Sequence, residues 1–369
     1  MGGFECSTHR RDDGRRLDLI AATGHDRAVL SDYRHMLGHG IRTVRDGVRW
    51  HLIETAPGRY DWKSLLPMLR AARELGIQPI WDLCHYGWPD DIDIWRPEFV
   101  DRFARFAAAV ARLVRDETGG TPIYCPVNEI AYWSWAGGDM GMMNPCARGR
   151  GFELKHQLVR AAIAGVEAVR AVDPRARFVH VDPVIQVTAH PDRPEDRPEA
   201  SAYTECQYQS WDMISGALWP GLGGRPEHLD VIGVNYYSDN QWFHSGGTIE
   251  PGHPLYRPFR DILADVHARY GRPLLVAETG AEGDARAPWL RYVAGEVAAA
   301  IKAGVPVLGI CLYPIVDYPG WTNERHCPVG LLGFPDAEGR REVHRPLAEE
   351  LRRRQAAFDR VLGRRSNAA

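Results

Sequence analysis

Two carboxylates each close an apolar run that reads as a strand: Glu129 in TPIYCPVNEIAYW (121 to 133) and Glu278 in PLLVAETG. A pair of carboxyl groups facing each other across a concave site suits cleavage of a glycosidic bond. One, held protonated, gives a proton to the leaving oxygen, while the other, ionised, attacks carbon or activates water. A separation of about 5–5.5 Å implies direct attack and retained configuration, and about 6.5–9.5 Å an intervening water and inversion. Other polar and aromatic groups sit at the ends of further apolar runs: Arg45 and Trp50, His85 and Tyr86, Asn128 beside Glu129, then Asn235, Tyr236 and Tyr237, and finally Tyr313, Asp317 and Trp321. Packing alone does not call for ionisable groups at so many strand ends while the strand interiors stay apolar.

The elements that position these groups alternate. Strands are expected at 3–8, 41–48, 78–84, 122–127, 177–183, 229–237, 273–279 and 307–314. Helical periodicity precedes the second to fifth of them, in DRAVLSDYRHMLGHG, WKSLLPMLRAARELG, PEFVDRFARFAAAVARLVRDE and FELKHQLVRAAIAGVEAVRAVD. Two later helices, around 202–215 and 289–303, complete the alternation, and LAEELRRRQAAFDRVL closes it. Gly40, Gly76 and Gly304 fall where a helix C-cap needs a left-handed residue. This pattern predicts a single (β/α)8 TIM barrel over 1–369, with a short flexible tail at about 364–369. In such a barrel the chemistry lies at the C-terminal ends of the strands.

Composition narrows the partners. Among 369 residues, 45 Lys and Arg against 48 Asp and Glu leave a net charge of −3, which offers no broad cationic face to nucleic acid or anionic lipid. No apolar run approaches a membrane span, and the N-terminus lacks the apolar core of a signal peptide, so a cytoplasmic location is expected. The seven cysteines form no C-x-x-C pair and read as thiols rather than a zinc knuckle or disulfide frame. His180 and Asp182 share one strand face and, with His190, are the only residues with a metal reading. We take them as barrel polar groups and expect no metal and no cofactor. Oligomeric state is not legible.

Six motifs then carry a resemblance. PVNEI resembles the strand-four Asn-Glu motif of clan A glycoside hydrolases, and VAETG their strand-seven nucleophile motif. DVIGVNYYS, DLCHYGWP, VRDGVRW and YPIVDYPGW are similar to the strand-six, -three, -two and -eight motifs of glycoside hydrolase family 1, in the family's order, over residues 45 to 321. The resemblance implies a β-glucosidase-like, retaining O-glycosyl hydrolase acting on a small carbohydrate or glycoside without a cofactor. It implies Glu278 as nucleophile, Glu129 as acid/base and Asn128 on the sugar 2-hydroxyl. Arg45 and Tyr237 are then expected against Glu278, with Asn235 supporting that shell, His85 on a ring hydroxyl and Trp321 as the floor of the sugar site. Departures from the family are Tyr313 in place of Trp, Gly320 in place of Glu, and a first strand with no sugar-binding Gln, for which Glu5, His9 and Arg10 are the candidate substitutes. Alternatives on the same barrel are an endo-acting glycanase, a transglycosidase and a non-catalytic carbohydrate-binding protein. Arg148 and Arg150, if turned inward, favour an acidic or phosphorylated sugar, and the Pro-rich segment 188–203 is a candidate rim of the pocket.

Overall fold

Eight parallel strands close on one another in chain order: β1 (Gly2–Gly3), β2 (Thr43–Gly47), β3 (Gln78–Asp82), β4 (Ile123–Cys125), β5 (Arg177–Pro183), β6 (Val231–Asn235), β7 (Leu274–Thr279) and β8 (Val307–Leu312). The pairing of Gly2 with Leu312 joins first strand to last. This computed structural model describes residues 1–363, so the tail expected at 364–369 lies outside the described residues. Between the strands lie α1 (His25–Gly38), α2 (Leu66–Leu75), α3 (Pro97–Glu117), α4 (Gly151–Val172), α5 (Gln209–Ser215), α6 (Phe259–Tyr270) and α7 (Arg286–Lys302), and α8 (Arg345–Val361) follows β8. The (β/α)8 expectation holds. No helix among the described residues is long and apolar enough to cross a membrane.

Local sequence explains the helices. Pro97 occupies the first turn of α3, where a missing N–H costs nothing, and Glu98 faces the positive end of the helix dipole. Phe99, Phe103, Phe106, Val110 and Val114 recur at helical spacing and are buried. Gly165 of α4 admits the Phe103 ring, since a Cβ there would lie 2.8 Å from Cε1 of that ring. Each such buried side chain contributes about 1.5–3 kcal/mol. Gly76 ends α2 with φ 63°, which only glycine adopts without strain. Inside the barrel, Ile80, Cys125, Val179, Val181, Val231, Leu275 and Ala277 form a separate plug. That plug keeps the interior solid below the strand ends, so a ligand has room only at the mouth.

Three segments differ from expectation. The first strand pairs regularly only at Gly2–Gly3, whereas residues 3–8 were expected. Beyond it the chain stays buried and crosses the mouth, with Phe4 N donating to Arg45 O (2.9 Å) and Thr8 N to His85 O (3.1 Å). Helix α6 has no counterpart among the expected helices. Its apolar face is four residues, Phe259, Ile262, Leu263 and Val266, set among charges, so the periodicity is short. The segment 188–203 is partly ordered: Gln186–Thr188 pairs in parallel with Gln241–Phe243, and Arg197–Glu205 is helical.

Candidate active site

Arg45, on β2 and 1% exposed, is the hub of the barrel mouth. Its Nε and Nη2 donate to the two oxygens of Asp82 (2.9 and 2.7 Å), Nη1 to Glu278 Oε1 (2.6 Å) and Nη2 also to Asn128 Oδ1 (2.6 Å). A rigid planar fork can hold three partners in one geometry, which a lysine cannot. Tyr237 OH donates to the other oxygen of Glu278 (3.0 Å). Burial pushes the Glu278 carboxyl up, to about 7, and Glu129 adds to the rise while Arg45 opposes it.

Glu129 is held differently. Asn235 Nδ2 donates to its Oε1 (2.7 Å) and Tyr86 OH to its Oε2, and it is 8% exposed with no cation in contact. Burial pushes its carboxyl up to about 7, against the pull of the two donors. Where two buried carboxyls share one site, one keeps a proton. The guanidinium against Glu278 favours the charge there, and Glu129 has no such partner. Glu129 and Tyr86 are both non-glycine residues in the left-handed region, with φ 45° and 67°. Such backbone strain persists only where surrounding structure over-determines it. Here Glu129 N donates to Val181 O (2.9 Å), and Asp182 accepts from the following Ala131 N (2.8 Å) and from Ser210 Oγ.

The expected site residues converge, with some reassigned partners. Asn128 is fully buried and spends both amide hydrogens, on His85 Nε2 and Tyr86 OH (3.0 Å each). Only the second lone pair of its Oδ1 is open. His85 gives its Nδ1 proton to the Asp82 carboxylate (2.9 Å), so both of its ring nitrogens are engaged within the protein. Asn235 supports Glu129 rather than the Glu278 shell. Trp321 is half-buried, its ring 5.7 Å from Tyr86 and 6.5 Å from Tyr132. Tyr313, where a Trp was expected from the resemblance, places its ring 5.2 Å from the Arg45 guanidinium and parallel to His85. Asp317 accepts from Gly330 N (2.7 Å) and from His326 (2.9 Å), which ties its own loop.

Asp82 escaped sequence reasoning, and Tyr86, read as a strand-end aromatic beside His85, was given no role of its own; yet Asp82 anchors Arg45 and Tyr86 grips Glu129. The signal was the polar residue itself: an Asp inside a buried parallel strand needs a buried cation. Arg150 stacks on Trp95 (3.5 Å) and pairs with Glu153, and Arg148 is exposed. His180 bonds His228 O (3.0 Å) and His190 lies against Phe243 and Asp192, so these do not form a cluster with Asp182. Among the described residues the one group with metal-ligand proximity is Cys6, Asp82 and His85. Its Asp82 is already saturated by Arg45 and His85, and the adjacent guanidinium repels a cation, so the donor set fits protons better than a metal.

No protein-family model and no curated protein matches this sequence. Solved structures do. A family 1 β-glucosidase from Thermotoga maritima superposes with a TM-score of 0.75 at 19% identity, over 89% of this chain and 86% of that one. The β-glucosidase from Thermotoga maritima in complex with glucoimidazole gives 0.76 at 18% identity, over 91% and 87%, and its complex with deoxynojirimycin 0.75 at 18%, over 90% and 87%. At such identities the similarity shows a shared barrel fold: the chain has the (β/α)8 architecture on which these β-glucosidases are built.

Proposed function

We propose that this chain is a retaining β-glycosidase, a β-glucosidase-like hydrolase acting by double displacement. The observation that carries the reading is the asymmetry of the carboxyl pair: Glu278 clamped by Arg45 and Tyr237, Glu129 held by two neutral donors and no cation. That is the division of labour glycosidic cleavage needs. In the first step a Glu278 oxygen attacks the anomeric carbon, the bond to the leaving oxygen breaks, and Glu129 transfers its proton to that oxygen. In the second, ionised Glu129 takes a proton from water as the hydroxide oxygen displaces Glu278, which restores both groups. Arg45 and Tyr237 steady the Glu278 charge before attack and after release, and Asp82 with His85 fixes Arg45 and Asn128. The barrel shared with β-glucosidases supports the substrate class.

The test uses aryl β-glycosides of graded leaving-group acidity. Glu278→Ala is expected to lose nearly all turnover with an unchanged fold. Glu129→Ala keeps kcat/KM for the most acidic phenols and loses it for the poorest leaving groups, because only those need its proton in the first step, while kcat falls throughout as the second step loses its base. Equal losses of kcat/KM across the series contradict the acid/base assignment.

A further inference from the structure

Glu129 opens the helical turn Ile130–Trp133, yet its side chain caps nothing there, because Asn235 and Tyr86 take up its two oxygens at the mouth. A helix start leaves N–H groups that need an acceptor. The acceptor comes from the next strand. Asp182, the penultimate residue of β5 and 1% exposed, takes the N–H of Ala131 on Oδ1 (2.8 Å) and accepts that of Tyr132 as well, while Ser210 Oγ of α5 donates to Oδ2. One residue earlier, Val181 O accepts from Glu129 N (2.9 Å). Strand β5 therefore grips the chain on both sides of a residue whose φ of 45° has to be held against its own preference.

A cap of this kind does not require a charge. Asparagine offers the same oxygen to the same two N–H groups without the cost of burying an acid. Among the described residues no cation pairs with Asp182: Lys155 of α4 acts on it from a distance, and its Nζ donates to Gln209 Oε1 (2.7 Å). Buried acids without a contacting cation are expensive, and they concentrate where charge serves chemistry. Asp182 does not reach a ligand itself. Val179 and Val181 point into the barrel plug, so the alternate position 182 faces the helices, behind Glu129.

Resting on the glycosidase reading, we propose that Asp182 is a positioning residue for the acid/base: through the turn it caps, it fixes where Glu129 holds its carboxyl, and it sets a second ionisable carboxyl behind that group. The surroundings leave the two free to influence each other. Burial pushes the Cys125 thiol and the Tyr86, Tyr132 and Tyr237 hydroxyls up, so they stay uncharged, and pushes His180 down to about 4, so it is uncharged too. Lys155 opposes the rise at Asp182, and Arg45, already bound to Asp82 and Glu278, opposes it at Glu129. Burial pushes Asp182 up to about 7, as it does Glu129, and the charge of Asp182 adds to the rise at Glu129. Ionised Asp182 thus delays the loss of the Glu129 proton, and removing that charge lets the proton leave at lower pH.

The experiment compares the unmodified chain with Asp182→Asn and Asp182→Ala. Carbon-13 NMR of glutamate-labelled protein, with the Glu129 carboxyl signal assigned by its absence in Glu129→Gln, reads the titration midpoint of that group. In parallel, kcat/KM is followed against pH for aryl β-glycosides of graded leaving-group acidity. Asp182→Asn keeps the capping oxygen and removes the charge. The Glu129 midpoint and the alkaline limb of kcat/KM are then expected to move together to lower pH, by about half a unit to one unit, with the plateau little changed. Asp182→Ala also frees the turn. Its kcat/KM is expected to fall about a hundredfold on the poorest leaving groups and little on the most acidic phenols, whose first step needs no proton. A Glu129 midpoint that stays in place in Asp182→Asn, or a loss in Asp182→Ala spread evenly over the leaving groups, overturns the inference and leaves the hydrolase reading intact. If the unmodified chain cleaves no aryl β-glycoside yet the midpoint moves in Asp182→Asn, the hydrolase reading fails and the coupling of the two carboxyls stands. Neither cleavage nor a moving midpoint overturns both, and Asp182→Asn decides alone if Asp182→Ala does not fold.

Discussion

Replacing Glu129 by Gln isolates the proton on which the account depends. In the unfolded chain a glutamate titrates near 4.5, and burial in the folded state pushes Glu129 up to about 7. Between those values the folded state binds more protons than the unfolded state, so stability falls as pH rises through the window. Two and a half pH units at about 1.4 kcal/mol each give a loss of about 3 kcal/mol between pH 4.5 and 7. Asp182, also pushed up to about 7 by burial, adds its own slope in both proteins, so the difference between them is the informative quantity. Glu129→Gln is nearly isosteric and cannot ionise. Guanidinium unfolding from pH 4 to 8 is therefore expected to show the variant gaining about 3 kcal/mol on the parent as pH rises. Glu278, whose carboxyl burial also pushes up to about 7, contributes a slope of its own, so Glu278→Gln is measured beside it as the matched comparison. Parallel stability curves for parent and Glu129→Gln refute the reasoning, because they place Glu129 at an ordinary carboxylate pKa with no proton to give near neutrality.

Tyr86→Phe removes a donor that favours ionised Glu129, so the alkaline limb of the kcat/KM profile is expected to move to higher pH, with the acid limb unmoved. His25 sits with no exposure between Asp32 (2.7 Å) and Asp46 (2.9 Å). Burial opposes its charge, but the two carboxylates outweigh it and push the ring up to about 9. That contribution, about 3 kcal/mol, is fully present below pH 6.5 and lost as pH rises through 9, and His25→Gln flattens this part of the denaturation profile. Phe103→Ala, beneath Gly165, is expected to cost about 3–5 kcal/mol in unfolding free energy with the barrel retained.

Much of this arrangement is legible in the residues. Glu129, Glu278, Arg45 and Tyr237 announce themselves as ionisable or hydroxyl groups where apolar runs stop, and the barrel rule then places them on one face. The reassigned partners are less legible. Asn235 lies beside Glu278 in the strand register yet turns its amide to Glu129, and the direction a side chain turns leaves no mark in composition. Asp82 hides because strand periodicity weighs apolar residues and passes over a single buried acid. Glu5, His9 and Arg10 stay equal candidates in the sequence, since which of their polar atoms neighbours take up is decided only in the fold. Helix α6 escapes for a related reason: four apolar residues among charges make a weak periodic signal, although they suffice to seat the helix beside α7.

The central claim is a covalent intermediate on Glu278 with a proton supplied by Glu129. The most direct test is the anomeric configuration of the first-formed product, followed by proton NMR during the opening minutes of hydrolysis of a β-glycoside, before mutarotation. The β-anomer is expected first, and the α-anomer only later, by mutarotation. First appearance of the α-anomer would contradict it, because inversion requires water rather than Glu278 at the anomeric carbon.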